Sequence, residues 1–207
     1  LGDVYKRQMP SSPKIPKDMI LKAALELLIE QGYGNVTIKS VAEKLNCSTQ
    51  PVSWHFGNME GFRKALAEYA LHYANGKMLS ASEGMSAFSK AGTGYLDIAV
   101  DEPNLFRYLY MSDEGRCYTG GFDILTTAGK NAEMVKQIAR QSGASAEKVS
   151  VFFRDIIIYT HGLACFAASG LIKAAKEELY EMVRQRASEY MQQAGIGKER
   201  ENDGENK

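Results

Sequence analysis

The stretch NCSTQPVSWHFGN, residues 46–58, decides the fold of the N-terminal part of the chain, because it joins a turn to a short helix. Asn46 stands where a preceding helix must end, and asparagine is one of the few non-glycine residues that tolerate a positive φ. Ser48 is placed to cap the next helix by accepting from the N–H of Gln50, since Pro51 has no N–H. The segment therefore predicts a turn followed by a short helix.

The predicted helix has an apolar face and a face of small polar residues. At 100° per residue, Val52 and Phe56 point toward the preceding helix. Gln50, Ser53 and Trp54 point the other way. Such a face can enter the major groove of DNA, where the amide of Gln50 can pair with adenine N6 and N7. The alternative for each of these residues is a solvated surface position.

Two predicted helices precede this segment and complete a helix-turn-helix layout. The first ends at Gly32, a left-handed stop, and the second begins after Thr37, whose hydroxyl can cap it. At the start of the third helix, Thr49 is a further candidate for a bond to a phosphate or a base edge. The N-terminal part is therefore predicted to be a three-helix DNA-binding domain.

The remainder of the chain is also predicted to be helical, because apolar residues recur at spacings of three and four and no segment alternates as a strand would. The helices are expected at 59–78, 85–100, 103–111, 121–141, 146–169 and 173–194. We interpret AGTG, residues 91–94, as a kink, since the strand of a phosphate loop is missing. The predicted fold class is all-α, with a larger helical bundle after the helix-turn-helix.

Composition disfavours several classes of protein. The three cysteines are far apart and never in a CxxC spacing, and the three histidines form no HxH, HxxxH or HExxH motif. We therefore expect no metal, no cofactor and no disulfide framework, as in a cytoplasmic protein. No apolar run approaches the roughly twenty residues that span a bilayer. An enzyme is disfavoured because no nucleophile and base, or pair of carboxylates, stands out.

Charge is distributed unevenly along a chain whose net charge is zero. Residues 9–64 hold seven Lys/Arg against five Asp/Glu, and residues 65–194 hold thirteen against fifteen. The N-terminal part is slightly basic, which permits contact with phosphates without demonstrating it.

Residues 15–66 resemble the DNA-binding domain of the TetR family of transcriptional regulators. The motif elements occur in order: AALELLIEQGY, Thr37, VAEKLNCS, the pair His55-Phe56 and NMEGF. The resemblance implies a TetR-like fold, with a helix-turn-helix domain over 15–58 and a ligand-binding and dimerisation domain over 59–194. We expect a disordered leader over 1–14, of which 1–8 is interpreted as non-native, and a disordered polar tail over 195–207.

The resemblance also implies roles for individual residues. Thr37 matches the family's threonine that bonds a DNA phosphate, and Lys39 matches the basic residue two positions later. Ser48, Thr49 and Gln50 match the start of the recognition helix. These five positions are therefore expected to contact DNA.

Three positions depart from the family pattern. Ser53 stands where the family usually has a phosphate-contacting tyrosine, and Gly57 and Met59 stand where it often has lysines. Trp54, beside the missing tyrosine, is a candidate for part of the missing contact, and Arg63 or Lys64 is a candidate to supply charge.

For the C-terminal helices, the resemblance implies a pocket for a small-molecule effector and a homodimer interface. The pocket candidates are aromatic or polar: Tyr95, Phe106, Tyr110, Phe122, Phe152, Arg154, Tyr159 and His161. The dimer candidates are on the last two helices: Gly162, Ala164, Ala168, Leu179, Met182, Val183, Arg186 and Tyr190. The alternative for any single aromatic is the core, and for His161 a hydrogen bond to a neighbouring helix.

These expectations combine into a homodimeric DNA-binding regulator, a repressor that occupies a palindromic operator and is released by an effector. The rival hypothesis is a helical ligand-binding or scaffold protein whose helix-turn-helix no longer functions. The missing tyrosine and the weak basic charge are the observations that make this rival conceivable.

Overall fold

The computed structural model describes residues 15–80, 87–115 and 129–196, and within these ranges it contains helices and no strand. This confirms the all-α prediction. The chain divides into two compact units, Leu1–Leu71 and His72–Lys207, so that the division falls inside a helix, whereas the sequence suggested a boundary at residue 59. The predicted leader and residues 197–207 of the predicted tail lie outside the described residues.

The N-terminal unit holds the predicted helix-turn-helix. Its helices are α1 (Lys17–Gln31), α2 (Ile38–Lys44), α3 (Gln50–Phe56) and the beginning of α4 (Met59–Ser80), with a 3₁₀ turn at Tyr33–Asn35. α1 packs against α2 and α3. The helices bury a shared set of side chains that solvent does not reach: Ile20, Leu28, Val41, Val52, Phe62 and Leu66.

Local signals explain where α2 begins and ends. Thr37 Oγ1 accepts from the N–H of Ser40 at 3.0 Å, and the Ser40 hydroxyl accepts from the N–H of Thr37 at 2.9 Å, which forms a capping box. After α2 the chain turns at Asn46, whose φ is 51° as predicted.

The start of α3 differs from the prediction that Ser48 caps it. The helix begins at Gln50, and its N-cap is Thr49, which has helical φ and ψ and no side-chain cap bond. This end of the helix is exposed, so solvent can satisfy its N–H groups.

The C-terminal unit is a helical bundle. It contains the rest of α4, α5 (Ala87–Asp101), α6 (Pro103–Phe106), a π-helical turn (Arg107–Met111), α7 (Gly129–Ser142), α8 (Ala146–Ala168) and α9 (Lys176–Ala194). α8 packs against α5, α7 and α9. One buried cluster includes Val135, Val149, Phe152, Phe153 and Ile156.

α8 is the most apolar helix of this bundle. It is 23 residues long, and its length and composition alone would allow it to cross a membrane. Within the bundle, however, it packs against α5, α6, α7 and α9, and 39% of its most apolar window is buried. Its composition therefore fits the core helix of a bundle.

The AGTG segment does not interrupt α5, contrary to the predicted kink. A Cβ added to Gly94 would lie 2.5 Å from the Cα of Met78. The glycine therefore serves close packing between α4 and α5 within the C-terminal unit.

Gly61 provides a test of the packing between α3 and α4. A Cβ at this position would lie 2.3 Å from the carbonyl oxygen of Phe56, a backbone atom that cannot swing aside. Gly61→Ala should therefore lower the free energy of unfolding by about 1–3 kcal/mol, measured by urea unfolding followed with circular dichroism. Gly76→Ala is the control on the same helix, because nothing lies within 4 Å of its added Cβ. Equal stability of the two variants would contradict this packing.

Candidate nucleic-acid interface

Contacts on the inner side of α3 fix its position and leave its outer face exposed. At its C-terminal end the chain turns at Gly57, whose φ is 74°. Phe56 packs edge-on against the buried ring of Phe62, with 5.3 Å between the centroids. His55 Nε2 lies 2.9 Å from the carbonyl oxygen of Ile15, so it connects α3 to the segment before α1. His55 therefore has a structural role in the N-terminal unit.

The outer face of α3 is exposed as the sequence predicts. Val52 is fully buried, whereas Trp54 on the opposite side is 44% exposed. The other predicted contact residues of this segment are exposed too: Ser48, Thr49, Gln50 and Ser53. An exposed face with short side chains around one amide has the shape and the hydrogen-bonding groups required to enter a major groove.

The predicted phosphate contacts on α2 and α4 are also exposed. Thr37, at the N-terminus of α2, has its hydroxyl oriented by the capping box with Ser40. The side chain of Lys39 is 82% exposed, and its ion pair with Glu43 is long, at 3.8 Å. Such an exposed pair is weak, so Lys39 can exchange it for a phosphate. Lys64 is exposed on α4.

Two other lysines of this unit are engaged within it. Lys44 Nζ lies 3.3 Å from carboxylate oxygens of both Glu26 and Glu30 on α1. Lys17 Nζ lies 5.5 Å from the centroid of the Phe56 ring. Both cations contribute to the packing of the unit, and this reduces the positive charge available to a partner.

In the C-terminal unit, four of the predicted pocket residues come together. The aromatic cluster is formed by Tyr95 of α5, Phe106 of α6, Tyr110 of the π-helical turn and His161 of α8. The Tyr95 ring centroid lies 5.1 Å from that of Phe106 and 4.9 Å from that of Tyr110, and the Tyr95 hydroxyl lies 2.8 Å from His161 Nδ1. The alternative for His161, a hydrogen bond to a neighbouring helix, is therefore what the structure contains.

Burial keeps the aromatic cluster uncharged. It raises the pKa of Tyr95 and of Tyr110, and it lowers the pKa of His161 below 6.5. Cys165, one turn after His161, approaches His161 Nε2 to 3.5 Å, and burial raises the pKa of its thiol. The sequence analysis missed Cys165, although its spacing of four from His161 places both side chains on one side of α8.

The other predicted pocket residues do not join this cluster. Phe152 is buried in the cluster shared by α7 and α8, and Tyr159 packs beside it with the Arg186 guanidinium 5.4 Å from its ring centroid. At 100° per residue both lie on the opposite side of α8 from His161. Arg154 is exposed and pairs with Asp155 at 2.8 Å. Phe122 lies outside the described residues.

The predicted dimer residues require a similar correction. Ala164, Ala168 and Leu179 are buried within one chain, where small side chains let α8 approach its own neighbours, so they cannot form a surface. Arg186 is half-buried and pairs with Glu189 at 2.7 Å. The remaining candidates retain accessible surface: Gly162, Met182, Val183 and Tyr190.

A different set of apolar side chains on the last two helices is exposed. Val151, Ile158 and Phe166 of α8 are 43%, 52% and 50% exposed, and they follow one another at spacings of seven and eight. Leu171 after α8 and Met182 of α9 are 74% and 37% exposed. We call these five residues the α8–α9 apolar face. Residues 156–168 of α8 hold no Lys, Arg, Asp or Glu, so periodicity could not separate Ile158 and Phe166 from the buried positions.

The N-terminal unit is similar to members of one protein family. Residues 20–66 match the family described as bacterial regulatory proteins, tetR family. Over 66 residues the chain is 39% identical to the uncharacterized HTH-type transcriptional regulator YvkB of Bacillus subtilis. Over 58 residues it is 36% identical to the tetracycline repressor protein class A from transposon 1721 of Escherichia coli. These segments are 31% and 28% of this chain and 34% and 27% of the two relatives.

The fold beyond the N-terminal unit also has solved counterparts. The structure of a TetR variant from Acinetobacter baumannii AYE in complex with minocycline covers 87% of this chain and 99% of its own, with a TM-score of 0.53. Sequence identity is 18%, so this likeness concerns the fold alone. It agrees with the predicted all-helical architecture.

Acidification should destabilise the protein through His161. Because burial lowers its pKa in the folded state, the unfolded chain takes up the proton first as the pH falls below 6.5. The stability contributed by neutral His161 is therefore present above pH 6.5 and is lost as the pH falls through the folded-state pKa. His161→Gln should show a smaller fall in Tm between pH 7.5 and pH 5 than the wild type, measured by circular dichroism. His72→Gln, at an exposed histidine, is the control, and an unchanged fall for His161→Gln would contradict the argument.

Proposed function

We propose that this chain, which belongs to the TetR family of bacterial regulatory proteins, is a homodimeric transcriptional repressor that releases its operator when a small molecule binds its C-terminal unit. The observation that carries the proposal is the two-sided packing of α3, with Val52 fully buried and Gln50, Ser53 and Trp54 exposed. The packing of a seven-residue helix does not by itself require polar side chains on the exposed face.

DNA recognition divides into contacts that position the protein and contacts that identify bases. Thr37 and Lys39 are exposed at the start of α2 and have the chemistry of phosphate contacts. Gln50, in the first turn of α3, carries the amide for a bidentate pair with adenine. Trp54 and Lys64 supply contacts where the family's usual tyrosine and lysines are missing.

Repression and effector release are supported by relatives. One relative of the N-terminal unit is named as a tetracycline repressor, and the solved structure with the same fold holds minocycline. An effector that prefers the conformer unable to bind DNA weakens binding by its differential affinity, and about 1.4 kcal/mol of preference changes the affinity tenfold. No enzymatic step is needed, and the protein acts in the cytoplasm, where the DNA is.

Dimerisation is supported by the α8–α9 apolar face. Large apolar side chains in one exposed set are expected to be covered by a partner. Pairing through this face has twofold symmetry and presents two α3 helices to a palindromic operator.

The DNA interface can be tested on duplex DNA from upstream of the protein's own gene, with a scrambled duplex for comparison. Gln50→Ala should reduce the preference for the upstream duplex by about 1–3 kcal/mol and leave scrambled binding unchanged, because the amide contacts bases. Lys39→Ala should weaken binding to both duplexes. It should also reduce the slope of log affinity against log salt concentration by about one for each phosphate contact that is lost. Fluorescence anisotropy titrations over a range of salt concentrations measure both effects.

Lys148→Ala is the matched control, because Lys148 is exposed in the first turn of α8. It removes the same charge as Lys39→Ala and should leave the salt dependence of DNA binding unchanged. If Gln50→Ala binds both duplexes like the wild type, Gln50 does not contact bases. If the wild type itself binds no DNA, the rival scaffold hypothesis replaces this one.

Dimerisation can be tested at Phe166. Phe166→Asp replaces a large side chain of the α8–α9 apolar face with a charge and should convert the dimer to a monomer, since burying an unpaired carboxylate is costly. Analytical ultracentrifugation measures the mass. Met19→Asp is the control, because Met19 in the N-terminal unit is also 50% exposed. A dimeric Phe166→Asp variant would show that another surface forms the dimer.

A further inference from the structure

We propose that Glu102 is a two-state latch on the second half of α4. In the attached state, which this structure shows, its carboxylate binds Tyr73 and Lys77 of α4. In the released state the carboxylate leaves both donors and enters solvent. The latch lies within the C-terminal unit, where Glu102 joins α5 to α6. This inference goes beyond the proposed function, because it concerns how α4 is held whether or not the chain binds DNA.

In the attached state, one oxygen of the carboxylate is bound to two donors. Glu102 Oε1 accepts from the Tyr73 hydroxyl at 2.8 Å and from Lys77 Nζ at 2.7 Å. The donors are four residues apart, so they lie on one side of α4. Burial and the bond to Glu102 raise the pKa of Tyr73 to about 12, so the phenol keeps its proton and donates. These charge-assisted bonds connect α4 to the junction of α5 and α6.

The other oxygen of the carboxylate opposes the attached state. Glu102 Oε2 is buried and has no hydrogen-bond partner among the described residues. Glu102 is also the N-cap residue of α6, yet its side chain forms no cap bond there. An oxygen of a charged group that is removed from water and left unpaired raises the free energy of the state that buries it. The attached state therefore carries a desolvation penalty, which brings the two states close in free energy.

Solvent is near enough for the carboxylate to leave without unfolding the bundle. The side chains of Glu102 and Lys77 are 12% and 29% exposed, and Tyr73 is 36% exposed, so the latch lies at the edge of the unit. Apolar packing of α4 does not depend on the carboxylate, because Ala74 is fully buried and Met78 lies against Gly94. Release therefore loosens the second half of α4 and does not detach it.

A second network in the same unit has the same three chemical groups and provides a comparison. Asp97 of α5 accepts from the Tyr180 hydroxyl, and Lys176 Nζ lies 3.3 Å from Asp97 Oδ1. Among the described residues, neither oxygen of Asp97 is both buried and unpaired. The unpaired buried oxygen therefore distinguishes the latch from an ordinary ion pair between helices.

The latch gives α4 two states between which a ligand can select. α4 begins in the N-terminal unit, where Phe62 is buried and Gly61 lies against the backbone of Phe56. A ligand of either unit that prefers one state of α4 shifts the population by its differential affinity. Such regulation requires no contact between the ligand and Glu102.

Hydrogen–deuterium exchange of the full chain tests the latch at the backbone amides of residues 73–80, measured by mass spectrometry. Glu102→Met removes the buried charge and keeps a side chain of similar length. It should slow this exchange about tenfold and leave the Tm at or above that of the wild type. Lys77→Met removes a donor and leaves the buried charge, so it should speed the exchange about tenfold. An ion pair with only a structural role would give faster exchange in both variants.

Lys176→Met is the matched control, because Lys176 also pairs with a carboxylate in the same unit. It should leave the exchange at residues 73–80 unchanged. Circular dichroism shows whether the variants are folded, and if Glu102→Met is not, the comparison of Lys77→Met with Lys176→Met decides. Faster exchange in Glu102→Met would show that the attached carboxylate is fully satisfied. Unchanged exchange in Lys77→Met would show that the carboxylate does not hold α4, and either result overturns the proposal.

The latch and the proposed function fail in different ways. If the exchange changes as expected but the wild type binds no upstream DNA, the latch stands and the repressor function falls. If DNA is bound and Glu102→Met exchanges faster than the wild type, the function stands and the latch falls.

Discussion

The burial of one valine under a seven-residue helix is the constraint on which the proposed function depends. Val52 is fully buried, and this sets the rotation of α3, so that Gln50, Ser53 and Trp54 must face outward. The turns on either side allow little adjustment. Asn46 has a positive φ before the helix, and the backbone of Phe56 lies against Gly61 after it.

Much of the N-terminal unit could be predicted because its signals are local. The helix cap at Thr37 and the turn at Asn46 each depend only on residues close by in the sequence. Both occur as predicted. The error at Ser48 is also local. The N–H groups at the start of α3 are exposed to solvent, so the helix does not require Ser48 as an acceptor.

The packing of the C-terminal unit was harder to predict, because it depends on which side of each helix contacts which neighbouring helix. The sequence could identify Tyr95, Phe106, Tyr110 and His161 as aromatic and polar candidates, and they do meet. It could not separate them from Phe152, which is aromatic too and lies on the same helix as His161. The same ambiguity hid the exposed position of Phe166 and the buried position of Ala164. Only tertiary packing distinguishes these residues.

The ion pairs of Lys44 have a consequence for how such a protein would find its site. With Lys44 engaged by Glu26 and Glu30, the N-terminal unit has one cation fewer for the sugar-phosphate chain. Affinity for random duplex comes almost entirely from such charge, so residence on random sequence would be brief. If it binds DNA as proposed, such a protein would reach its site more by collisions from solution than by sliding. Its occupancy is then decided almost wholly by bases in the groove.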